Sequence, residues 1–87
     1  PKNEGIKSSV LWTAARAEAI NRKYNEAENH GKELVKIDPR NGHYLLGLIY
    51  FDTKQYDNAK QELTEAKRLK ADYSNIDQLL EEISNIK

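Results

Sequence analysis

Apolar residues recur every three to four positions along most of the chain, which predicts α-helices. The clearest stripe lies near the end of the chain, at Ile76, Leu79, Leu80, Ile83 and Ile86. No stretch alternates apolar and polar residues as a half-buried β-strand does. The pattern therefore predicts an all-α chain, and its breaks divide it into five helices.

Short polar segments mark where the predicted helices begin and end. Residues 1–7 lack periodicity, so we predict a flexible arm there, followed by a first helix capped by Ser8 or Ser9. The segment DPRNG at 38–42 is expected to form a turn, because proline cannot continue a helix. The later helices are predicted over 25–36 and 43–52, then from a cap at Asp57 to about residue 70, and after a cap at Ser74.

The two halves of the chain align without gaps at an offset of 32 residues. Equivalent pairs are Tyr24 and Tyr56, Ala27 and Ala59, and Ala15 and Gly47. Self-similarity at such a period is typical of stacked helical hairpins. The small residues predict close helix packing within each hairpin, and the tyrosines are expected to fill the space where each hairpin turns.

The second copy of this pattern resembles the tetratricopeptide repeat family. It carries the family's residue types at Leu46, Gly47, Tyr50, Tyr56, Ala59, Leu63 and Ala66. The first copy matches less completely, at Leu11, Ala14, Ala15, Tyr24, Ala27, Leu34 and Pro39. The resemblance implies antiparallel helix-turn-helix repeats over 8–39 and 40–71, followed by a C-terminal capping helix over 72–87.

The chain departs from the family's pattern at several positions. The period is 32 residues instead of about 34. The missing residues lie between Pro39 and Gly47, so we expect a tight turn between the hairpins. Glu18 and Gly31 stand where the second copy has Tyr50 and Leu63. These exchanges predict a loosely packed first hairpin.

The resemblance also implies a function without catalysis. In this family the first helix of each hairpin lines an inner groove that binds a segment of a partner protein. Carried over by position, the groove residues are Trp12, Arg16, Tyr44, Leu48, Phe51, Gln78 and Glu82. The three aromatic residues are expected to anchor the partner, with Arg16 and Glu82 setting its direction. Trp12 and Arg16 occupy places where the carboxylate-binding members have Lys and Asn, which argues against that partner class.

Two alternatives remain open at the level of sequence. Trp12 and Phe51 can instead complete a small core, which would leave no groove. The chain can also act in assembly, with its first hairpin stacking on a further repeat or on a second copy of itself.

Composition and spacing exclude several other functions. Fourteen basic and 14 acidic residues give a formal net charge of zero, which offers nucleic acid no attractive field. No apolar run reaches the roughly 20 residues that a membrane span needs. His30 and His43 lack metal-ligand spacing and are predicted to be solvent-exposed. We therefore expect no enzymatic activity, metal or cofactor.

Overall fold

The structure is a computed structural model that describes residues 2–71 and 73–86, with side chains described from residue 6 onward. It contains five helices and, within the described residues, no strand: α1 (Lys2–Ile20), α2 (Tyr24–Ile37), α3 (Pro39–Asp52), α4 (Tyr56–Arg68) and α5 (Ile76–Ile86). This confirms the all-α class and the helical-hairpin fold. Residues 1, 72 and 87, which bound the predicted arm and the predicted capping helix, lie outside the described residues.

The first helix begins earlier than predicted. Residues 2–7 are helical, so they are not the irregular arm that the polar composition suggested. Ser8 and Ser9 lie inside α1 and cannot cap it; the Ser8 hydroxyl instead donates a hydrogen bond to Asp38 Oδ2 at 2.9 Å. Lysine and glutamate favour helix without needing an apolar face, which is why hydrophobic periodicity did not predict the first residues of α1.

The predicted turn at 38–42 is reduced to one residue. Only Asp38 separates α2 from α3, and Pro39 begins α3 instead of ending the preceding helix. Proline suits this position because the first helical N–H has no intrahelical acceptor and its φ is already helical. The tight turn expected from the short period is confirmed.

The close approach of α2 and α3 depends on Gly42. A Cβ atom at this position would lie 2.4 Å from Val35 N and 2.5 Å from Val35 Cα. Only glycine leaves room for the α2 backbone at that distance.

Both hairpins turn in the same way. Arg22 and Lys54, 32 residues apart, have positive φ values of 63° and 62°. In the second hairpin, Lys54 N–H donates to Phe51 O (3.1 Å) and Gln55 N–H to Tyr50 O (2.8 Å). This is the Schellman pattern of helix C-termini, here with a basic residue at the left-handed position that usually holds glycine.

The helices after the turns also begin at slightly different residues than predicted. Tyr24 and Tyr56 are the first residues of α2 and α4, and both are half-buried against the core. Asp57 therefore lies in the first turn of α4, with Gln55 at the cap position. α5 begins at Ile76, one residue later than a cap by Ser74 requires.

Helix α3 is shared by two hydrophobic clusters. One joins it to the first hairpin, through Leu11, Ala15, Ala27, Leu34, Leu45 and Ile49. The other joins it to α4 and α5, through Tyr44, Leu46, Tyr50, Ala59, Leu63, Ala66, Ile76 and Ile83. The two hairpins are therefore packed side by side through α3.

The first hairpin is not loosely packed, contrary to prediction. The space that Gly31 leaves is filled from α3, because a Cβ atom there would lie 2.7 Å from Leu46 Cδ2. In the second hairpin Gly47 plays the corresponding part, and its Cβ would lie 2.6 Å from Leu63 Cδ2 on α4. The space at Gly31 in the first copy is thus filled by a side chain of the second.

Candidate functional site

The candidate groove residues lie on the first helix of each hairpin and on α5. Trp12 on α1 is equivalent to Tyr44 on α3, 32 residues later, and to Gln78 on α5, a further 34 residues later. Arg16, Leu48 and Glu82 are related by the same offsets, one helical turn along. Within the described chain, α1 adjoins α3, and the apolar residues of α5 belong to the cluster that contains Tyr44. We call this set of positions the inner row.

Three parallel aromatic rings lie at one end of the inner row. The ring centroids of Tyr44 and Tyr73 are 3.8 Å apart, and Trp12 lies 6.0 Å from Tyr44 and 6.2 Å from Tyr73. All three ring planes are within 8° of parallel. Because Tyr73 covers it, Tyr44 is only 6% exposed. Tyr44 is thus a core residue that supports Trp12, not the open anchor that the sequence suggested.

A series of side-chain hydrogen bonds lies beside these rings. The Tyr73 hydroxyl donates to Asn41 Oδ1, and Asn41 Nδ2 donates to Asp38 Oδ2 at 2.7 Å. Asp38 also accepts a hydrogen bond from Ser8. Together these hydrogen bonds connect α1, the turn between the hairpins, α3 and the loop before α5. Burial, followed by the nearby Tyr44 and Asp38, raises the pKa of Tyr73. The shift favours the neutral phenol, which is the form that donates to Asn41.

Two shallow cavities adjoin the aromatic rings. One, of about 320 Å³, is lined by Asp38, Arg40, Asn41, Ala71 and Tyr73. The other, of about 240 Å³, is lined by Ser8, Ser9, Trp12, Thr13, Asn41 and Tyr73. Asn41 and Tyr73 belong to both walls, so the cavities lie on either side of these two residues. Each offers an aromatic ring beside hydrogen-bonding groups.

The remaining residues of the inner row stay accessible. Arg16, Gln78 and Glu82 are exposed, whereas Leu48 and Phe51 are half-buried. Phe51 packs edge-on against Tyr56 of α4, with ring centroids 5.6 Å apart. The structure thus brings Trp12 and Tyr44 into contact, while Phe51 lies about two helical turns further along α3 and takes no part in the aromatic stack.

Trp12 satisfies both sequence interpretations in part. It packs against both hydrophobic clusters, as a core residue does, yet it is only half-buried and lines a surface cavity. The sequence did not identify Tyr73, Asn41 or Asp38 as part of this site. Asn41 and Asp38 belong to a segment read as a turn, and Tyr73 follows α4 outside the repeat pattern, so spacing gave no signal for them.

Both histidines are less exposed than predicted, because each pairs with a carboxylate across its hairpin. His30 Nδ1 lies 2.6 Å from Glu18 Oε1 between α2 and α1. His43 Nδ1 lies 2.6 Å from Glu62 Oε1 between α3 and α4. The histidine and glutamate side chains are 21% to 33% exposed, because each lies between the two helices of its hairpin. We interpret these pairs as links within each hairpin.

Other kinds of site were sought among the described residues. That part of the chain holds no group of three or more His, Asp or Glu side chains arranged to bind a metal ion. It also has no helix that is both long enough and apolar enough to cross a membrane. The inner row with its two cavities is therefore the candidate site that the geometry supports best.

Comparison with known proteins agrees with this architecture. Residues 42–73, which span most of α3, all of α4 and the loop as far as Tyr73, match the family model described as tetratricopeptide repeat. No curated protein and no solved structure matched the chain. The matched residues contain Tyr44, Leu48 and Phe51 of the inner row as well as Tyr73.

Proposed function

We propose that the chain binds a segment of a partner protein along the inner row, because residues 42–73 match the tetratricopeptide repeat family, whose repeats mediate protein–protein contacts. It does so without catalysis. The segment lies across α1, α3 and α5 and contacts Trp12, Arg16, Leu48, Phe51, Gln78 and Glu82.

One observation carries this proposal: large apolar side chains of the inner row remain half-exposed near an exposed arginine. Trp12, Leu48 and Phe51 each have one side in the core and one side accessible, while Arg16 is exposed. Tryptophan and arginine are among the residues that most often dominate binding energies at interfaces. Because their inner sides are already packed, the apolar residues would lose little conformational entropy on binding.

The surface also favours a particular kind of segment. The cavities beside Trp12 and Tyr73 combine an aromatic wall with the Asn41 amide, which suits an apolar or aromatic side chain on a polar backbone. An acidic residue of the partner would pair with Arg16, and a basic residue with Glu82 on α5. Opposite charges at the two ends would fix the direction in which the segment lies.

A peptide selection tests the proposal directly. Random peptides displayed on phage are selected on the 87-residue chain, and binding is followed by the emission of Trp12, the single tryptophan. We expect the selected peptides to carry an apolar residue near an acidic one. Binding should weaken at least tenfold on Arg16→Glu and on Phe51→Ala, and should not change on Thr64→Glu.

Thr64 is a suitable control because it is exposed on α4, outside the inner row. Circular dichroism establishes that each variant keeps its helicity. Selected peptides that bind Arg16→Glu and Phe51→Ala as tightly as the original chain would refute this site, as would a selection that enriches nothing.

A further inference from the structure

The outer side of α1 carries an apolar stripe that nothing in the described chain covers. It consists of Ile6, Ser9, Val10, Thr13, Ala14, Ala17 and Ile20, which are three or four residues apart and share one face of the helix. Ile6, Val10 and Ile20 are 66%, 60% and 75% exposed. Among the described residues, the only other large hydrophobic side chain this open is Ile86. We call this face the outer stripe.

The repeat shows what such a face does when it is covered. Adding 32 to Val10, Thr13, Ala14 and Ala17 gives Gly42, Leu45, Leu46 and Ile49 of α3. All four of these α3 residues are buried, and they form the face that packs on α2. The outer stripe is therefore the same helix face in the first hairpin, left without its neighbouring helix.

The outer stripe has the surface of a helix-packing site. Ser9, Val10, Thr13 and Ala14 line a depression of about 410 Å³ with mostly apolar walls. No residue of the stripe is charged, over about 21 Å from Ile6 to Ile20. Its small central residues permit a close approach of helix axes, which depends on the side chains at the contact.

We propose that the outer stripe binds the outer stripe of a second copy of this chain, as an antiparallel pair of α1 helices. Five of its seven residues are symmetric about Thr13: Ile6 and Ile20 lie seven residues to either side, and Ser9 and Ala17 lie four residues to either side, whereas Val10 and Ala14 have no counterpart in the stripe. A two-fold axis at Thr13 therefore places Ile6 against Ile20 of the partner subunit and Ser9 against Ala17 of the partner subunit. This reciprocity is what a two-fold interface requires.

The net charge of the chain and the occupation of its other helix-packing faces also favour a second copy as the partner of the outer stripe. The zero net charge gives two copies no long-range repulsion. The packing faces that receive a helix within the chain are occupied, because α3 covers α2 and α5 covers α4. A single helix pair makes a small interface, so we expect a weak dimer.

Sedimentation equilibrium of the 87-residue chain, from about 5 µM to 1 mM, tests the proposal. We expect a concentration-dependent monomer–dimer equilibrium. Thr13→Glu places two carboxylates together at the two-fold axis and should raise the dissociation constant at least 100-fold. Thr64→Glu makes the same change at an exposed site on α4 and should leave the constant unchanged. A chain that stays monomeric throughout, or a dimer that survives Thr13→Glu, would overturn the proposal.

Disulfide trapping tests the orientation and does not depend on the stability of the glutamate variant. The chain has no cysteine, so single cysteines can be introduced without interference. Mixing Ile6→Cys with Ile20→Cys under mild oxidation should yield mainly the mixed disulfide dimer, whereas Thr64→Cys should yield little dimer. Cross-linking of Ile6→Cys mainly to itself would indicate a parallel pair and contradict the antiparallel arrangement.

The outer stripe shares Ser9 and Thr13 with the cavity beside Trp12, so a variant on another helix is needed to separate the two proposals. Phe51→Ala, on α3, should reduce peptide binding without changing the dimer constant. Thr13→Glu should do the opposite for any peptide that does not reach Thr13.

Discussion

Replacing Gly42 with alanine tests the contact that sets one hairpin against the other. In a helix interior, glycine is less favourable than alanine by about 0.5–1 kcal/mol, so propensity alone predicts that Gly42→Ala stabilises the chain. The structure predicts the opposite sign. The new Cβ atom would lie 2.4 Å from Val35 N and 2.5 Å from Val35 Cα, which are backbone atoms that cannot rotate away.

The size of the effect follows from the required movement. To reach an ordinary contact of about 3.5 Å, α2 and α3 must separate by about 1 Å, which loosens the packing of Leu45 and Leu46 between them. Overpacking of this kind costs about 1–3 kcal/mol, so after the gain in propensity we expect a net loss of about 1–2 kcal/mol. For a domain of this size the midpoint of thermal unfolding should fall by roughly 5–15 °C.

Urea unfolding followed by circular dichroism at 222 nm measures the change, with Gly31→Ala as the matched control. Gly31 also lies inside a helix, but its added Cβ meets Leu46 Cδ2 at 2.7 Å, the end of a side chain that can turn. Gly31→Ala should therefore change the free energy of unfolding by less than about 1 kcal/mol. A Gly42→Ala chain that is more stable than the original would refute the described approach of α2 and α3.

Three further predictions concern stability. Lys54→Gly should stabilise the chain by about 0.5–1 kcal/mol in urea unfolding, because Lys54 has a φ of 62°, whereas Lys60→Gly inside α4 should destabilise it by about 1 kcal/mol. Leu63→Ala should cost about 2–5 kcal/mol, because this side chain is fully buried; a loss under 1 kcal/mol would contradict that burial. Burial, then the hydrogen bond to Glu28, raises the pKa of Tyr50 above its unfolded value near 10. The folded state therefore favours the neutral phenol. Its stabilisation is complete below about pH 9 and is lost as the pH rises through 10, so Tyr50→Phe should lose less stability than the original chain between pH 9 and 11.5.

Periodicity predicted the middle helices well because each packs one face on a neighbour. α2 and α4 differ from their predicted bounds by one or two residues, since Ala27, Leu34, Ala59 and Leu63 mark a single buried side. It failed where a residue has two structural uses. Pro39 can end one helix or begin the next, and only the packing of α3 on α2 decides between them.

The candidate site was predictable only as far as the repeat extends. The 32-residue offset makes Trp12 and Tyr44 equivalent, and the two rings lie together because equivalent positions of adjacent first helices face each other. Tyr73 lies in the loop between α4 and α5, where no periodicity applies, and its ring is what covers Tyr44. The burial of Tyr44 therefore depends on a contact over 29 residues of sequence that spacing does not encode.

Nuclear magnetic resonance can show whether a bound peptide lies along the inner row. The chain is labelled with ¹⁵N and titrated with a selected peptide, and the shift of each amide and of the Trp12 indole N–H is followed. We expect the largest shifts on α1, α3 and α5, at Trp12, Arg16, Leu48 and Gln78. Shifts confined to α2 and α4, with the Trp12 indole signal unmoved, would contradict it.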